Sequence, residues 1–363
     1  MNFSIIKKVT NFFTKFRNYE KQVESFPNII EDLYAKVKRN LFDHKRNHSN
    51  LQNLIGSFNK RDFISFTGAG TSIFTGIKNW TDCIDELLAE LKNEYSVTLQ
   101  INKDSVGWQQ EAFSSIIEAY EQTTGTAKNF YDRIVNIFTP KTTYYSGYHD
   151  NIIELVKTHL TTNFDHVLEE RIQSKHQEVL TQCIPNLDKS ALSDKRAVIY
   201  LHGNVKNNIF VLTKEVYDHY YPCVSGSGLK IIEEFLYHIY HNKHILFFGF
   251  SFNDCYLEKC FEHIATKRKE DVFKNTTQNQ KIDPLSRVQH FLITGTENIE
   301  RVYADITVKQ KEREMEREIL EQREEKINIF FDRFEAIKIY PVIFQGENYI
   351  FIEDLINYLN RGR

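Results

Sequence analysis

Residues 62–81 contain the pattern that most restricts the fold. Residues 62–66 (DFISF) form a short, mostly apolar segment of the kind found in a buried strand. The segment TGAGTS follows at residues 67–72, and a helical pattern begins near Trp80. Glycines let a backbone approach a phosphate closely, and a helix N-terminus favours negative charge. The pattern predicts a nucleotide-binding turn, but it matches neither GxGxxG nor GxxxxGKS/T and also suits a purely structural turn.

Strand-like and helix-like segments alternate along the rest of the chain. Further strands are predicted at 159–162, 197–201, 209–212, 245–248, 290–294 and 336–343. Helices are predicted at 163–175, 229–241, 254–267 and 353–359. The alternation predicts an α/β fold with a mostly parallel sheet and helices on both faces. Residues 80–150 are expected to form a helical insertion, 268–286 a polar loop, and about 300–330 a long charged helix.

The division into parts follows from composition. Residues 1–60 carry six more Lys and Arg than Asp and Glu, whereas the whole chain has a net charge of −3. Phenylalanines and isoleucines lie at helical spacing before residue 17, with lysines on much of the other side. We predict an N-terminal helical extension at 1–60 that serves assembly, and a catalytic domain at 61–363. The alternative for the extension is a helix on a membrane surface.

Composition also excludes several classes of protein. The acidic body argues against a direct nucleic-acid site, and no apolar segment is long enough to span a membrane. The five cysteines include no CxxC pair, which makes a disulfide framework and a four-cysteine zinc site improbable. We therefore expect a cytoplasmic protein without zinc.

Polar residues and glycines follow several of the predicted strands, where open α/β sheets bind their ligands. Asn163 and Asp165 follow one strand, His202 follows another, and Gly249 and Ser251 follow a third. Histidine has a pKa near neutrality, so His202 is a candidate general base. Asparagine and aspartate are also good helix caps, and a single histidine is often structural. Asp254 is likewise either a helix cap or a ligand-binding residue.

Taken together, four motifs resemble the sirtuin family. They are GAGTS with Gly76, Ile77 and Trp80, TTNFD at 161–165, LHG at 201–203 and GFS at 249–251. The resemblance extends over roughly residues 61–360 and is strong only at these motifs. It implies a Rossmann-like domain that binds NAD and breaks the bond between nicotinamide and ribose.

The resemblance also implies a role for each matched residue. Gly68, Ala69 and Gly70 would line the pyrophosphate, with Thr71 and Ser72 beside it. Asn163 would hold the ribose or a water, Asp165 would lie near the nicotinamide amide, and His202 would be the general base. Gly249 would permit close approach of the dinucleotide, and Ser251 would contact its adenosine half.

The departures from the family favour one branch of it. Classical deacetylases carry two CxxC pairs that bind zinc, and their GIPDFR motif is GIKNW here. The chain is more similar to divergent bacterial sirtuin-like proteins of antiphage defence, which hydrolyse NAD and in some systems assemble with a HerA-type ATPase. This resemblance implies an NAD+ hydrolase that forms a homo-oligomer and is activated by a HerA-type hexameric ATPase or a phage protein. The alternatives are an NAD-dependent deacylase or ADP-ribosyltransferase, and a non-catalytic subunit that binds NAD or ADP-ribose.

Overall fold

The computed structural model describes most of the chain. The described residues are 31–58, 63–141, 147–192, 195–221, 231–252, 254–276, 288–295, 317–345 and 350–361. The aromatic pattern before residue 17 and residues 300–316 of the predicted charged helix lie outside these residues.

The described elements alternate as the sequence indicates. The strands are β1 (Phe63–Thr67), β2 (Thr158–Thr161), β3 (Leu180–Cys183), β4 (Ala197–Tyr200), β5 (Gly203–Asn204), β6 (Ile209–Phe210), β7 (His244–Phe248), β8 (His290–Gly295) and β9 (Ile339–Phe344). The first six helices are α1 (described over 31–40), α2 (Lys45–Phe58), α3 (Trp80–Tyr95), α4 (Trp108–Thr124), α5 (Lys128–Phe138) and α6 (Gly147–Leu155). The later helices are α7 (Val167–His176), α8 (Lys214–Tyr220), α9 (Ile231–Asn242), α10 (Cys255–Thr276), α11 (Arg317–Ala336) and α12 (Ile350–Arg361).

The main sheet has seven strands in the order β3-β4-β2-β1-β7-β8-β9, and every neighbouring pair is parallel. From β1, the chain builds first toward β2 and β4 and later returns to the other side of β1 at β7. The direction of winding therefore reverses between β1 and β7, and open α/β sheets bind ligands outside the strand ends at such a point. The predicted Rossmann-like α/β fold is confirmed.

Alternate residues of the central strands enter two cores. Phe66 and Phe247 face a core that includes residues of α9, α10 and α11. Phe63, Leu246 and Phe248 face the opposite core, which includes residues of α2, α6 and α12. Both central strands are buried along their whole length, as expected for a parallel sheet with helices on both faces.

A third apolar cluster lies beside the sheet. It is built mainly from α3, α4 and α5, and it includes Phe164 and Phe210 from the segments that follow β2 and β5. Phe164 stacks on Trp80, with ring centroids 5.9 Å apart and an interplanar angle of 14°. The helical cluster is thereby joined to the carboxyl-end edge of the sheet.

The structure corrects the sequence predictions at three places. Residues 268–276, predicted as loop, continue α10, because lysine, arginine and glutamate form helices well and a polar helix resembles a polar loop in sequence. The predicted strand at 209–212 is the two-residue β6, which pairs with β5 outside the main sheet. Strand β3 was not predicted, because its partly exposed, polar sequence LTQC lacks an apolar pattern. None of the described helices is long and apolar enough to cross a membrane.

Asn47 of α2 ties this helix to β9. Its side-chain amide donates to the carbonyls of Phe42 (2.8 Å) and Ile343 (2.7 Å), and its oxygen accepts from the Ile343 N–H (2.7 Å). The side chain is fully buried. Its polar atoms therefore supply hydrogen bonds to the edge strand β9 where no neighbouring strand of the sheet does so.

Replacing Asn47 with alanine should destabilise the fold by about 2–4 kcal/mol, because the Ile343 N–H loses its acceptor and the carbonyls of Phe42 and Ile343 each lose a donor. Denaturant unfolding of the purified chain measures this loss. Asn53→Ala, at an exposed position of the same helix, should change stability by less than about 0.5 kcal/mol. Equal effects of the two substitutions would contradict the proposed anchoring.

Candidate functional site

The polar strand ends meet at one edge of the sheet. Thr67 at the end of β1 is in register with Thr161 of β2 and with Phe248 of β7, and Thr161 is in register with Tyr200 of β4. The four strands therefore end at the same level. The structure consequently brings the glycine segment at 68–72 together with the segments that carry the other predicted site residues.

The glycine segment and the segment after β7 pack backbone against backbone. The Gly68 N–H donates to the Phe248 carbonyl and the Gly70 N–H to the Gly249 carbonyl, each at 3.0 Å. A Cβ on Gly68 would lie 2.6 Å from the Gly249 oxygen, and a Cβ on Gly249 would lie 2.5 Å from the Thr71 nitrogen. Gly249 also has φ of +58°. These glycines are required for the contact between the two segments, whatever the site binds.

The amides of the glycine segment are largely engaged within the protein. Ala69, Gly70 and Thr71 form one turn of 3-10 helix, in which Thr71 and Ser72 N–H groups donate to the carbonyls of Gly68 and Ala69. The Ala69 N–H, at the start of this turn, donates to no described backbone carbonyl. A pyrophosphate at this turn would therefore meet fewer free donors than the sequence pattern suggests.

Asn163 connects the end of β2 to the glycine segment. Its side-chain amide donates to the Gly68 carbonyl (3.0 Å), the Thr71 hydroxyl (3.3 Å) and the Ser72 hydroxyl (3.1 Å). The hydroxyls of Thr71 and Ser72, expected beside a pyrophosphate, thus face Asn163. Because the amide donors are engaged, the Asn163 side chain is fixed with its carbonyl oxygen as the remaining functional group.

Asp165 lies in the same buried group. Its carboxylate bonds the Ser72 hydroxyl and accepts from the Val167 N–H, where it caps the region at the start of α7. Burial raises the pKa of Asp165, although these hydrogen bonds oppose the change. The structure places Asp165 and Asn163 side by side through their shared partner Ser72. Their predicted roles in catalysis remain predictions.

His202 lies in a closed environment of tyrosines. Its exposed fraction is 1%, and its Nε2 atom is 2.7 Å from the Tyr221 hydroxyl. The Tyr217 hydroxyl is 3.5 Å from Nδ1, and the Trp80 ring is 6.1 Å from the imidazole centroid. Burial lowers the pKa of His202 to about 3, so the ring is neutral at physiological pH.

The sequence left open whether Asp254 is a helix cap or a ligand-binding residue. Its Oδ1 atom accepts from the N–H groups of Tyr256 (3.0 Å) and Leu257 (3.1 Å), so it caps α10. Its Oδ2 atom accepts from the Tyr217 hydroxyl (2.9 Å) and lies 3.6 Å from His202 Nε2. Burial raises the pKa of Asp254 to about 6.

Two tyrosines and a histidine of the site were missed from the sequence. Tyr217 and Tyr221 lie four residues apart at the end of α8, a spacing that indicates a shared face but not the partner of that face. His149 of α6 is buried and bonds the backbone of Thr71, and burial lowers its pKa. Only a tertiary contact identifies it, since no local motif surrounds it.

A second polar cluster holds the segment that follows His202. The His166 ring lies 3.2 Å from Glu169 and 3.3 Å from the Tyr200 hydroxyl, and its Nε2 accepts from the Lys206 N–H. The Lys206 ammonium donates to Glu169 (2.8 Å), whose pKa is lowered to about 2 because these hydrogen bonds and charges outweigh its burial. The β5–β6 hairpin is therefore tied to the segment that carries Asp165.

Ser251 is partly exposed, as are Ala69 and Gly249, whereas the other predicted site residues are buried. It lies between Phe250 and Phe252, which are buried and pack edge to face at 4.6 Å. Ile73, just after the glycine segment, is 46% exposed. Ser251 and Ile73 are therefore the more accessible side chains of these two adjoining segments.

The cysteines and carboxylates suggest no further chemistry in the described part of the chain. Cys83, Cys183, Cys255 and Cys260 are free, and burial raises the pKa of Cys83 to about 12. Such a thiol is not activated as a nucleophile. Among the described residues, no group of three or more His, Cys, Asp or Glu side chains is arranged to hold a metal ion.

Residues 157–319 match the protein-family model for the SIR2-like domain. The match begins at β2 and includes Asn163, Asp165, His202, Gly249 and Ser251, whereas the glycine segment precedes it. The chain is also 23% identical over 237 residues to the NAD(+) hydrolase ThsA of Acinetobacter baumannii (strain 532279). That alignment covers 62% of this chain and 43% of ThsA, so the chain spans less than half of this relative. Together with the fold, these similarities support an NAD-related function.

Gly249→Ala should destabilise the protein by about 2–4 kcal/mol, since it combines a positive φ with a clash against the Thr71 backbone. Denaturant unfolding gives the free-energy change. Gly56→Ala is the matched control, because its Cβ would meet nothing within 4 Å and Gly56 lies in α2. The control should be neutral or stabilising by up to about 1 kcal/mol. A tolerated Gly249→Ala would contradict the close contact of the two segments.

Asp254→Asn should stabilise the fold at pH 8 by about 1–2 kcal/mol. The pKa of Asp254 is raised to about 6 in the folded chain, so the stability associated with its protonated form is lost as pH rises through 6. Asparagine keeps the helix cap and removes the buried charge, at the expense of a weaker bond from Tyr217. Urea unfolding should show this gain at pH 8 and its disappearance near pH 4. A clear loss of stability at pH 8 would refute the assignment.

Proposed function

We propose that the protein is an NAD+ hydrolase that cleaves the nicotinamide–ribose bond and yields nicotinamide and ADP-ribose. The main support is the position of Asn163, Asp165 and His202 at adjoining strand ends beside the glycine segment. The end of β2 adjoins the point, between β1 and β7, where the winding of the sheet reverses, and all three residues lie within the part of the chain that is similar to the SIR2-like domain. The similarity to a NAD(+) hydrolase supports the same reaction.

The residues present fit a dinucleotide substrate. The glycine turn presents the Ala69 N–H at its start, the accessible Ser251 hydroxyl adjoins it, and Ile73 offers an apolar surface for a planar ring. Asn163 offers a carbonyl oxygen, because its amide donors are held by the glycine segment. Asp165, whose pKa is raised by burial, can hold a carboxamide at a defined place.

Hydrolysis requires less from the protein than many group transfers do. The nicotinamide leaves as a neutral ring, so the leaving group needs little help from an acid, and the transition state resembles an oxocarbenium ion. The protein must orient one water and accept its proton. His202 is neutral in this structure, and its ring can accept that proton once a neighbouring group stabilises the imidazolium that forms. General-base assistance of this kind is worth roughly 10²–10⁴-fold in rate.

We favour hydrolysis over deacylation because the sequence has no CxxC pair and so lacks the zinc-binding motif of classical deacetylases. Water is the nucleophile when no acyl-lysine enters. A non-catalytic role is less well supported, since the sequence retains Asn163, Asp165 and His202, and the first two share Ser72 as a hydrogen-bond partner.

We further propose that the enzyme acts in the cytoplasm as an effector of antiviral defence that depletes NAD. Such an enzyme must be inactive until it is triggered. The burial of His202 and its bond to Tyr221 are consistent with an inactive resting state. The proposed homo-oligomer, and a HerA-type ATPase or a phage protein as activator, would engage the basic extension at 1–60.

His202→Ala should lower NAD+ hydrolysis by at least about 100-fold, because the water then loses its proton acceptor. Purified full-length chain is incubated with NAD+, and nicotinamide and ADP-ribose are quantified by chromatography. Asn163→Ala should also lose activity, and its unfolding curve must be recorded since Asn163 bonds three groups of the glycine segment.

His159→Gln is the matched control. His159 is equally buried in β2, but it bonds Ser65 within the sheet rather than at the strand ends. The folded fraction of this variant should retain most of the wild-type activity. The proposed function is wrong if wild-type protein forms neither product with or without candidate activators, or if His202→Ala is as active as wild type.

A further inference from the structure

A chain of hydrogen-bonding groups leads from the buried His202 to the partly exposed Asp254. Tyr221 lies at Nε2, Tyr217 lies near Nδ1, and Asp254 contacts Tyr217 at 2.9 Å and approaches Nε2 to 3.6 Å. His202 has an exposed side-chain fraction of 1%, whereas that of Asp254 is 14%. Tyr217 and Tyr221 are fully buried, so Asp254 is the most exposed member of this chain of groups.

Capping of α10 does not explain this arrangement. The cap uses Oδ1, which accepts from Tyr256 and Leu257, and asparagine would serve equally well. The second oxygen is directed at Tyr217 and His202 instead. A carboxylate buried in this way is unfavourable for the fold, so its second oxygen needs an explanation other than the helix cap.

The hydrogen bonds also define the tautomer of His202. The Tyr217 hydroxyl donates to Asp254, so toward His202 Nδ1 it can only accept. The ring then carries its proton on Nδ1, and Nε2 is the basic atom. In this structure Nε2 accepts from Tyr221, which must release it before the ring can act on water.

We propose that Asp254 and Tyr217 are positioning residues of the proposed hydrolase, which hold His202 as the Nδ1–H tautomer and give the proton released by hydrolysis a path to solvent through the Asp254 carboxylate. This inference rests on the proposed function. It adds two residues to the site, and neither of them contacts the reacting atoms.

The proton balance of the reaction requires such a path. The water oxygen bonds to the anomeric carbon of the ribose, and the electron pair of the broken C–N bond neutralises the nicotinamide ring. One proton is left over, and His202 Nε2 accepts it. The imidazolium is stabilised by Asp254 and passes this proton to the carboxylate, which regenerates the Nδ1–H ring. The carboxyl group then loses the proton to solvent.

The expected pH dependence follows from the groups around Asp254. Those that face it from α8, from the segment after β4 and from α10 are Tyr217, His202, Cys255, Tyr256 and Glu258. The tyrosines and the cysteine are neutral near pH 6, and the pKa of Asp254 lies at about 6. Activity should therefore fall as pH drops through 6, because a protonated Asp254 can neither stabilise the imidazolium nor accept its proton.

The test compares full-length wild type with Asp254→Asn and Tyr217→Phe in NAD+ hydrolysis from pH 5 to pH 9. Asp254→Asn should lower kcat by about 100-fold with KM within about twofold, and the loss of activity below pH 6 should disappear. Tyr217→Phe should lower kcat by about tenfold or more. Tyr120→Phe is the matched control, since it removes another buried hydroxyl bonded to a carboxylate, Glu90 at 2.8 Å, and should leave kcat unchanged.

A second measurement does not depend on turnover. Nitrogen-15 NMR of histidine-labelled protein, with His202→Gln identifying the signal, reports the tautomer of His202. Wild type should show the Nδ1–H form at pH 7, and Tyr217→Phe should lower its population. If wild type does not hydrolyse NAD+, the proposed function is wrong. The NMR measurement still tests whether Tyr217 and Asp254 hold His202 as the Nδ1–H tautomer. An unchanged tautomer in Tyr217→Phe and Asp254→Asn, or wild-type kcat and pH profile in Asp254→Asn, would overturn it.

Discussion

The contact between Gly68 and Gly249 determines how the rest of the site can be built. At this point the ends of β1 and β7 approach so closely that backbone atoms occupy the space of a side chain. The segments that follow two parallel strands are not joined to each other by a hairpin, so tertiary hydrogen bonds must hold them together. The bonds from Gly68 to Phe248 and from Gly70 to Gly249 do so here. Asn163 then fixes the end of β2 to the same turn.

Burial of charge is the second constraint on the site. The same loss of hydration keeps His202 neutral and makes Asp254 a weaker acid, because a low-dielectric environment disfavours both charged forms. The ordinary pKa values of the two groups differ by more than two units, and burial shifts them in opposite directions, which favours the neutral form of each. Their hydrogen bonds through Tyr217 give this pair a defined geometry.

The sequence was sufficient for the parallel sheet and for the segments that carry the candidate site, because apolar strands followed by glycine, asparagine or histidine have a recognisable local pattern. The sequence was not sufficient to predict which side chains contact those residues. Tyr217 and His149 reach the site through tertiary contacts that leave no local signal. The exposed edge strand β3 was missed for a related reason, since an edge strand needs little apolar sequence. The glycines were recognised, but their packing role appears only when the two segments are seen in contact.

Phe164 lies between Asn163 and Asp165 in sequence, and its side chain belongs to the helical cluster rather than to the sheet. Its carbonyl also accepts from Val205 in the hairpin that follows His202. One residue thus takes part in the helical cluster through its side chain and in the backbone pairing with the β5–β6 hairpin through its carbonyl. Loss of the helical cluster would release the Phe164 side chain between Asn163 and Asp165, so we expect local unfolding of that cluster to be accompanied by disassembly of the site.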